Sequence, residues 1–330
     1  MILTNSQLKP LFSNCVSVRD SEEGYISATR FTDKQLQQYN STGFIGANCD
    51  AGICFDFTYD GKVIEFEFIP IAKTSRHFMS FDLYDGDKLV YTLPTYIGAQ
   101  GERKFHYEFL TKEKRRVRIF FPFSCGVEIS KFTLDDGSYF APTPTEGRKK
   151  FLILGDSITH GYDTYYTSVG YANMIINHYD AVALNQAVAG YFFNADLLDE
   201  NIPFTPDVIT ISYGTNDWSR YGKDEEKFRR YAKAYIEKIR KMYPDAKIFG
   251  ILPLWRASWN QFPDTRMEFS KAHEILTEYY TANGINIIDG RLAVPNDTHF
   301  YTDGLHPNTI GQTLYGHYVI NELEKAGVTK

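Results

Sequence analysis

Residues 151–163 read FLILGDSITHGYD. Four apolar side chains, Phe151 to Leu154, run without a polar interruption into Gly155, Asp156 and Ser157. A short, continuous apolar run bounded by glycine is the pattern of a strand buried on both faces, as in a parallel sheet covered by helices. The sequence downstream keeps the same grammar. AVALNQA, DVITISYG, AKIFGILPL and INIID read as further strands, separated by helical segments. Residues 170–179 suit a helix. KDEEKFRRYAKAYIEKIRKMYP puts Phe228, Tyr231, Tyr235, Ile239 and Met242 on one face, with acids in its first turn. Another helix is expected from about Asp264 to Asn283, ended by Gly284, and a last one from about Asn308 to Ala326, ended by Gly327. Five strands alternating with helices predict a parallel α/β sheet covered on both sides. In such sheets reactive groups gather at the carboxyl ends of the strands.

Upstream the grammar differs. FDFTYDGKVIEFEF alternates around Asp60-Gly61, with Ile64, Phe66 and Phe68 on one face and Glu65 and Glu67 on the other. MSFDLYDGDKLVYTL repeats the pattern around Asp85-Gly86, and RRVRIFFPF and VEISKFTL add strands. A short helix is expected near Thr32 to Tyr39. Many short strands without a long helical period predict an antiparallel β-sandwich, jelly-roll-like in kind. SYFAPTPTEGRKK, residues 138–150, reads as a linker. The expected division is therefore a sandwich over residues 1–147 and an α/β domain over 148–330.

Composition narrows the function. Of 330 residues, 43 % are apolar and 23 % charged, and the formal net charge is −6, which does not suggest a nucleic-acid partner. Most of the 24 Tyr and 25 Phe are expected in the cores. Cys15, Cys49, Cys54 and Cys125 lack metal-like clustering and read as free thiols, a Cys49–Cys54 bridge being the lesser alternative. No group of His, Cys or acids has zinc spacing, so neither a metal nor another cofactor is expected. The N-terminus, MILTNSQLKP, lacks the pattern of a secretory signal, and no apolar run is long enough to span a membrane. This predicts an intracellular protein or a mature secreted form. A homo-oligomer is compatible with the sequence.

Four strand-end features carry chemistry. A serine hydroxyl needs a base to become a nucleophile. A strand-to-helix turn would expose Ser157 and aim backbone N–H groups at one point. Taken alone, GDS is better read as a turn or N-cap serine. In DGLHPN, Asp303 and His306 are three apart, so the carboxylate can reach one ring nitrogen and leave the other as an acceptor facing outward. A helix-start turn with Pro307 and Asn308 explains that segment equally well. Gly190, after LNQAVA, lets backbone approach a ligand or simply makes a turn. Asn216, in GTND, can donate to an oxyanion together with the Ser157 and Gly190 N–H groups, or form an Asx turn.

Taken together and in order, GDSIT, the glycine after LNQAVA, GTND and DGLH resemble the sequence blocks of the SGNH (GDSL-type) hydrolases, over residues 150 to about 326. The resemblance implies a flavodoxin-like three-layer fold without a metal. Ser157 would be the nucleophile, His306 the base and Asp303 its orienting partner, with Gly190 and Asn216 in the oxyanion hole. The two-part layout resembles bacterial carbohydrate esterases with a sandwich ahead of an SGNH domain. Some of those lack the triad aspartate, whereas this chain has Asp303. The GxSxG elbow of α/β-hydrolases is absent.

The expected activity is hydrolysis of a short acyl ester, most simply acetyl, on a carbohydrate. The alternatives are a lysophospholipase or thioesterase of the same family, and a carbohydrate-binding protein with a lapsed catalytic domain. Tyr162, Tyr191 and Trp218 follow the serine, glycine and asparagine blocks, and Trp255, Arg256 and Trp259 follow the fourth strand. They predict an aromatic-walled cleft for an oligosaccharide ester, unless the tryptophans pack between domains. Arg256 would bind a carboxylate or brace a loop. His160 is too close to Ser157 in sequence to serve as base and should pack or line the rim. His299 reads as a loop histidine, and Asp156 and Asp217 as structural acceptors.

Overall fold

The computed structural model describes residues 1–21, 24–96, 103–261 and 263–330. Strands Lys150–Gly155, Val182–Asn185, Val208–Ser212, Lys247–Ile251 and Asn286–Ile288 pair in parallel, in the spatial order second, first, third, fourth, fifth. The apolar run of 151–154 shows why helices cover both faces. Phe151 and Ile153 join the core under helices Tyr171–His178 and Thr309–Lys325, with Ile175, Tyr315 and Val319. Leu152 and Leu154 point the other way, into the core under Glu225–Met242 and Phe269–Ala282, with Phe228, Ile236 and Leu276. This is the expected flavodoxin-like, three-layer α/β/α arrangement, and Ser157 follows the strand at which the order reverses.

The N-terminal region packs two antiparallel sheets face to face. One contains Cys54–Tyr59, Arg115–Phe120, Phe78–Asp85 and Lys88–Tyr96, with the short Phe12–Ser13 and Phe140–Pro142 beside Cys54–Tyr59. The other contains Ser17–Asp20, Ile26–Thr29, Cys125–Leu134, Val63–Lys73 and Lys104–Glu108. Between them Phe55, Phe66, Phe81, Phe105 and Phe132 interlock, with Phe66 stacked on Phe105 at 4.7 Å and on Phe132 at 5.6 Å. All four cysteines are free thiols.

Three local readings change. The Asp60-Gly61 turn connects the two sheets, because Cys54–Tyr59 and Val63–Lys73 belong to different ones. The Gly86-Asp87 turn does close a hairpin, pairing Asp85 with Lys88. Within 138–150, Phe140–Pro142 is an edge strand. The helix expected from Asp264 begins at Phe269, because Met267 is held from outside: its N–H donates to Gly222 O at 3.1 Å and its carbonyl accepts from Trp218 Nε1 at 2.7 Å.

The segment after Ile26–Thr29 joins the sandwich to the parallel sheet. Phe31, Leu36 and Ala47 share a core with Leu152 and Leu184. Arg30 is fully buried and donates to the carbonyls of Cys49 (2.6 Å), Gly46 (2.8 Å), Ala187 (3.0 Å) and Asn185. Burial lowers its guanidinium to about 10. Among the described residues, no helix is long and apolar enough to cross a membrane.

Candidate active site

Ser157 begins a single helical turn, Ser157–His160. Asp156 caps it, Oδ1 accepting from Ile158 N at 3.0 Å, and Gly161 ends it at φ 106°. The turn presses so closely on its strand that a Cβ at Gly155 would lie 2.1 Å from Thr159 Oγ1. Ser157 was expected in the open, yet only 6 % of it is exposed. Its hydroxyl lies at the base of the site, beneath an imidazole.

That imidazole is His306, whose Nε2 is 2.8 Å from Ser157 Oγ. The segment 301–307 is a closed loop, bridged between Tyr301 and Pro307 and by Thr302 N–H to His306 O at 2.9 Å. Asp303 accepts from the N–H groups of Leu305 and His306 through Oδ1, at 3.1 and 2.9 Å, and from His306 Nδ1 through Oδ2 at 2.8 Å. Nε2 is therefore the acceptor facing the hydroxyl. Burial alone would raise the Asp303 carboxyl. The hydrogen bonds from His306 and Leu305 and the His306 charge prevail and hold it well below the usual range. Asn308 then caps helix Thr309–Lys325, and Gln312 in that helix donates to Ile158 O at 3.0 Å, tying it to the serine turn.

The loop after the second strand is built from the same turn. Val188 N–H donates to Gly155 O at 3.1 Å, and Ala189 N–H to His160 Nδ1 at 3.3 Å. Gly190 follows at φ 76°, a left-handed conformation that favours glycine. Asn216 Nδ2 donates to Tyr191 O at 2.9 Å, which fixes the amide beside this loop and leaves its second N–H unused by that bond. The loops at the carboxyl ends of the first three strands, which carry Ser157, Gly190 and Asn216, are thus tied to one another, and the Asp303–His306 pair of the last loop meets the hydroxyl. Such an arrangement can deprotonate a hydroxyl and hold an oxyanion.

Residues 153–314 match the model of the GDSL-like Lipase/Acylhydrolase family. This part of the chain is a GDSL-like lipase/acylhydrolase domain. The chain is similar to Cellulase/esterase CelE of Acetivibrio thermocellus, 29 % identical over 143 residues, covering 33 % of this chain and only 17 % of that protein. Among solved structures it is similar to the salicylyl-acyltransferase SsfX3 from a tetracycline biosynthetic pathway, with TM-score 0.82 and 16 % identity over 96 % of this chain and 94 % of that one. It is also similar to a family two carbohydrate esterase from Clostridium thermocellum solved with cellohexaose, with TM-score 0.63 and 17 % identity over 92 % and 99 %. At these identities the two structures establish shared fold.

The GDSL-like domain places the expected cleft residues differently from the sequence reading. Trp218 is fully buried, its Nε1 bonded to Met267 O, so it cannot wall a cleft. Arg256 is also buried. It braces a loop through Thr215, Ser219 and Ser258 and lies 4.8 Å over Trp218. Tyr191 packs on Tyr39, ring centroids 4.7 Å apart, with its hydroxyl paired to Asn40. Trp255 packs beneath the His306 loop, 5.2 Å from Tyr301. Of the six, Trp259 is exposed and lines a separate pocket with Phe269 and Ser270, and Tyr162 stands at the site, its ring 5.7 Å from that of His306, though 6 % exposed. His160 is buried, and burial and the nearby Arg30 charge push its imidazole well below its ordinary range, so it stays neutral. His299 has an aspartate of its own, Asp297 at 2.6 Å, and a side chain 87 % exposed. Asp156 and Asp217 accept backbone N–H groups as expected, and burial raises them to about 6 and about 7.

Two residues near His306 were missed. Asp163, at φ 69°, has Oδ2 3.7 Å from His306 Nδ1. Arg76, from the sandwich, donates from Nε and Nη2 to the two oxygens of Asp163, each at 2.7 Å. Asp163, Asp303 and His306 hold ligand atoms within 4.8 Å of one another, but the cation already among them is the Arg76 guanidinium. Beside them opens a cleft of about 370 Å³ between the sandwich and the GDSL-like domain, lined by Arg76, Phe78, Tyr96, Asp163, Tyr165 and Thr302 among others. Tyr96 and Tyr165 are 62 % and 64 % exposed, and both rings pack against Phe78.

Proposed function

We propose that the chain is a serine esterase that removes a short acyl group, most simply acetyl, from a carbohydrate through an acyl-enzyme. His306 Nε2 takes the proton of Ser157, and Oγ attacks the ester carbonyl. The oxyanion is stabilised by the N–H groups of Ser157 and Gly190 and the free N–H of Asn216. His306 returns the proton to the leaving alcohol, and water repeats the sequence on the acyl-enzyme. Asp303 orients the ring and stabilises the imidazolium. Residues 148–330 are the catalytic domain in this reading, and 1–147 the accessory sandwich.

The observation that carries the reading is the 2.8 Å contact between Ser157 Oγ and a nitrogen whose ring is held from its other side by a carboxylate. The similarity to a cellulase/esterase supports an ester on a sugar polymer. The exposed rings of Tyr96 and Tyr165 offer sugar-sized stacking surfaces in the cleft that Arg76 and Asp163 line. The test is labelling by an organofluorophosphonate, with acetate release from a panel of acetylated oligosaccharides and turnover of acetyl against long-chain esters. Labelling of Ser157 with acetyl preference is expected. A protein that does not label is not a serine esterase, and preference for long chains would move the reading to a lysophospholipase.

A further inference from the structure

We propose that Arg76 is a positioning residue for His306, so that the β-sandwich completes the active site. The inference rests on the reading of Ser157 and His306 given above. Arg76 lies in the turn between Val63–Lys73 and Phe78–Asp85, one strand from each sheet of the sandwich. Its fork holds both oxygens of Asp163 at 2.7 Å. The same Nη2 is 3.5 Å from Asp303 Oδ2 and 3.4 Å from His306 Nδ1, and the guanidinium lies 4.8 Å over the Tyr162 ring. The hydrogen bonds to Asp163 strengthen the cation.

A guanidinium has no lone pair, and His306 Nδ1 already donates to Asp303. The approach of Nη2 to Nδ1 is therefore a charge held against the ring, and not a hydrogen bond. Its effect follows from what else faces that nitrogen. Two carboxylates do, Asp303 at 2.8 Å and Asp163 at 3.7 Å. Unopposed, the pair would favour imidazolium, which cannot act as a base. Asp163 would also compete with Asp303 for the one Nδ1 proton, giving the ring two orientations. Arg76 saturates Asp163 and offsets its charge, leaving Asp303 as the acceptor. Farther charges face the group as well: Asp156 from the serine turn, and Arg256, which is felt at Asp303. Asp163 adopts its left-handed backbone in the turn that delivers it to the fork.

The test uses the full chain with Arg76→Met, Arg76→Lys and Asp163→Asn, and an aryl acetate over pH 5 to 9. In Arg76→Met, kcat should fall on the order of 10- to 100-fold with KM changed less than about threefold. The acid limb of the kcat/KM profile should move to higher pH, because loss of the cation favours imidazolium. Arg76→Lys should restore the limb but only part of kcat, since an ammonium cannot fork. Asp163→Asn should move the limb the opposite way, to lower pH. An Arg76→Met variant with unchanged kcat and limb overturns the proposal. If that variant does not fold, Asp163→Asn decides, and an unmoved limb there overturns it. Fluorophosphonate labelling separates the two readings. Wild-type labelling with an equal rate in Arg76→Met removes the role of Arg76 alone, whereas an unlabelled wild type removes the esterase reading beneath it.

Discussion

The sandwich and the parallel sheet use their residues in opposite ways. The parallel sheet fills the middle of its strands with apolar residues and carries the candidate site residues on the loops after their carboxyl ends. The sandwich devotes its strands to a phenylalanine core and sends arginines across to the other region, Arg116 and Arg118 to Asp180 and Asn177, and two more toward the candidate site. Arg30 caps carbonyls behind the Gly190 loop, and Arg76 reaches the carboxylates beside His306. The candidate site is thus local to one region, while part of its support comes from the other.

The comparison breaks first if the reacting hydroxyl lies elsewhere. Ser157→Ala should lower turnover of an aryl acetate by about 10⁴-fold or more while leaving the fold intact by circular dichroism. Substantial residual turnover would refute the proposed mechanism. Asn216→Ala removes one proposed oxyanion donor and should cost roughly 10² to 10³ in kcat. A loss confined to KM would place Asn216 in ground-state binding.

Support from the sandwich is tested next. Arg30→Met leaves four carbonyls without their buried donor and should lower unfolding free energy in urea by about 3 kcal/mol or more. A near-neutral result would mean that water replaces the guanidinium.

The pH dependence of stability sharpens the contrast on the side of the parallel sheet. Asp217 and Asp156 titrate at about 7 and about 6 in the folded protein, raised by burial. The folded state therefore binds more protons than the unfolded one between about pH 4 and 7, and the stability from these groups is full below pH 4 and lost as pH rises through their folded values. Asp217→Asn should flatten part of that fall, read as urea midpoints at pH 5 and pH 8. Asp50 and Asp82, raised by burial in the sandwich, act in the same direction and preserve the remainder. The smallest effect is expected for Gly190→Ala. The added Cβ meets open space, so only the left-handed backbone opposes it, at about 1 kcal/mol, and activity should fall less than about tenfold.

What the sequence disclosed follows from the range of its signals. The run Phe151 to Leu154 disclosed two covered faces because alternate residues reach opposite cores. Asp303 and His306 were readable as a pair because three residues of loop bring them together. Trp218 misled because closeness in sequence to Asn216 says nothing of direction: on helix Thr215–Tyr221 two residues turn the side chain by about 200°, away from the site and into the core. Asp163 stood in view at the end of FLILGDSITHGYD, six positions after the serine, but its role depends on Arg76. That arginine is 87 residues upstream in a turn with no periodic pattern, and only the docking of two regions brings the pair together. Arg30 is hidden for the same reason.

The cleft beside Arg76 and Asp163 has walls of separate origin: Asp163, Tyr165 and Thr302 come from the loops that carry Ser157 and His306, and Arg76, Phe78 and Tyr96 from the sandwich. Under the proposed esterase reading, selectivity for the leaving alcohol would be open to change by exchanging sandwich side chains such as Tyr96 while Ser157, Asp303 and His306 are kept. In the proposed role of Arg76, a graft that removed it would alter His306 along with the specificity.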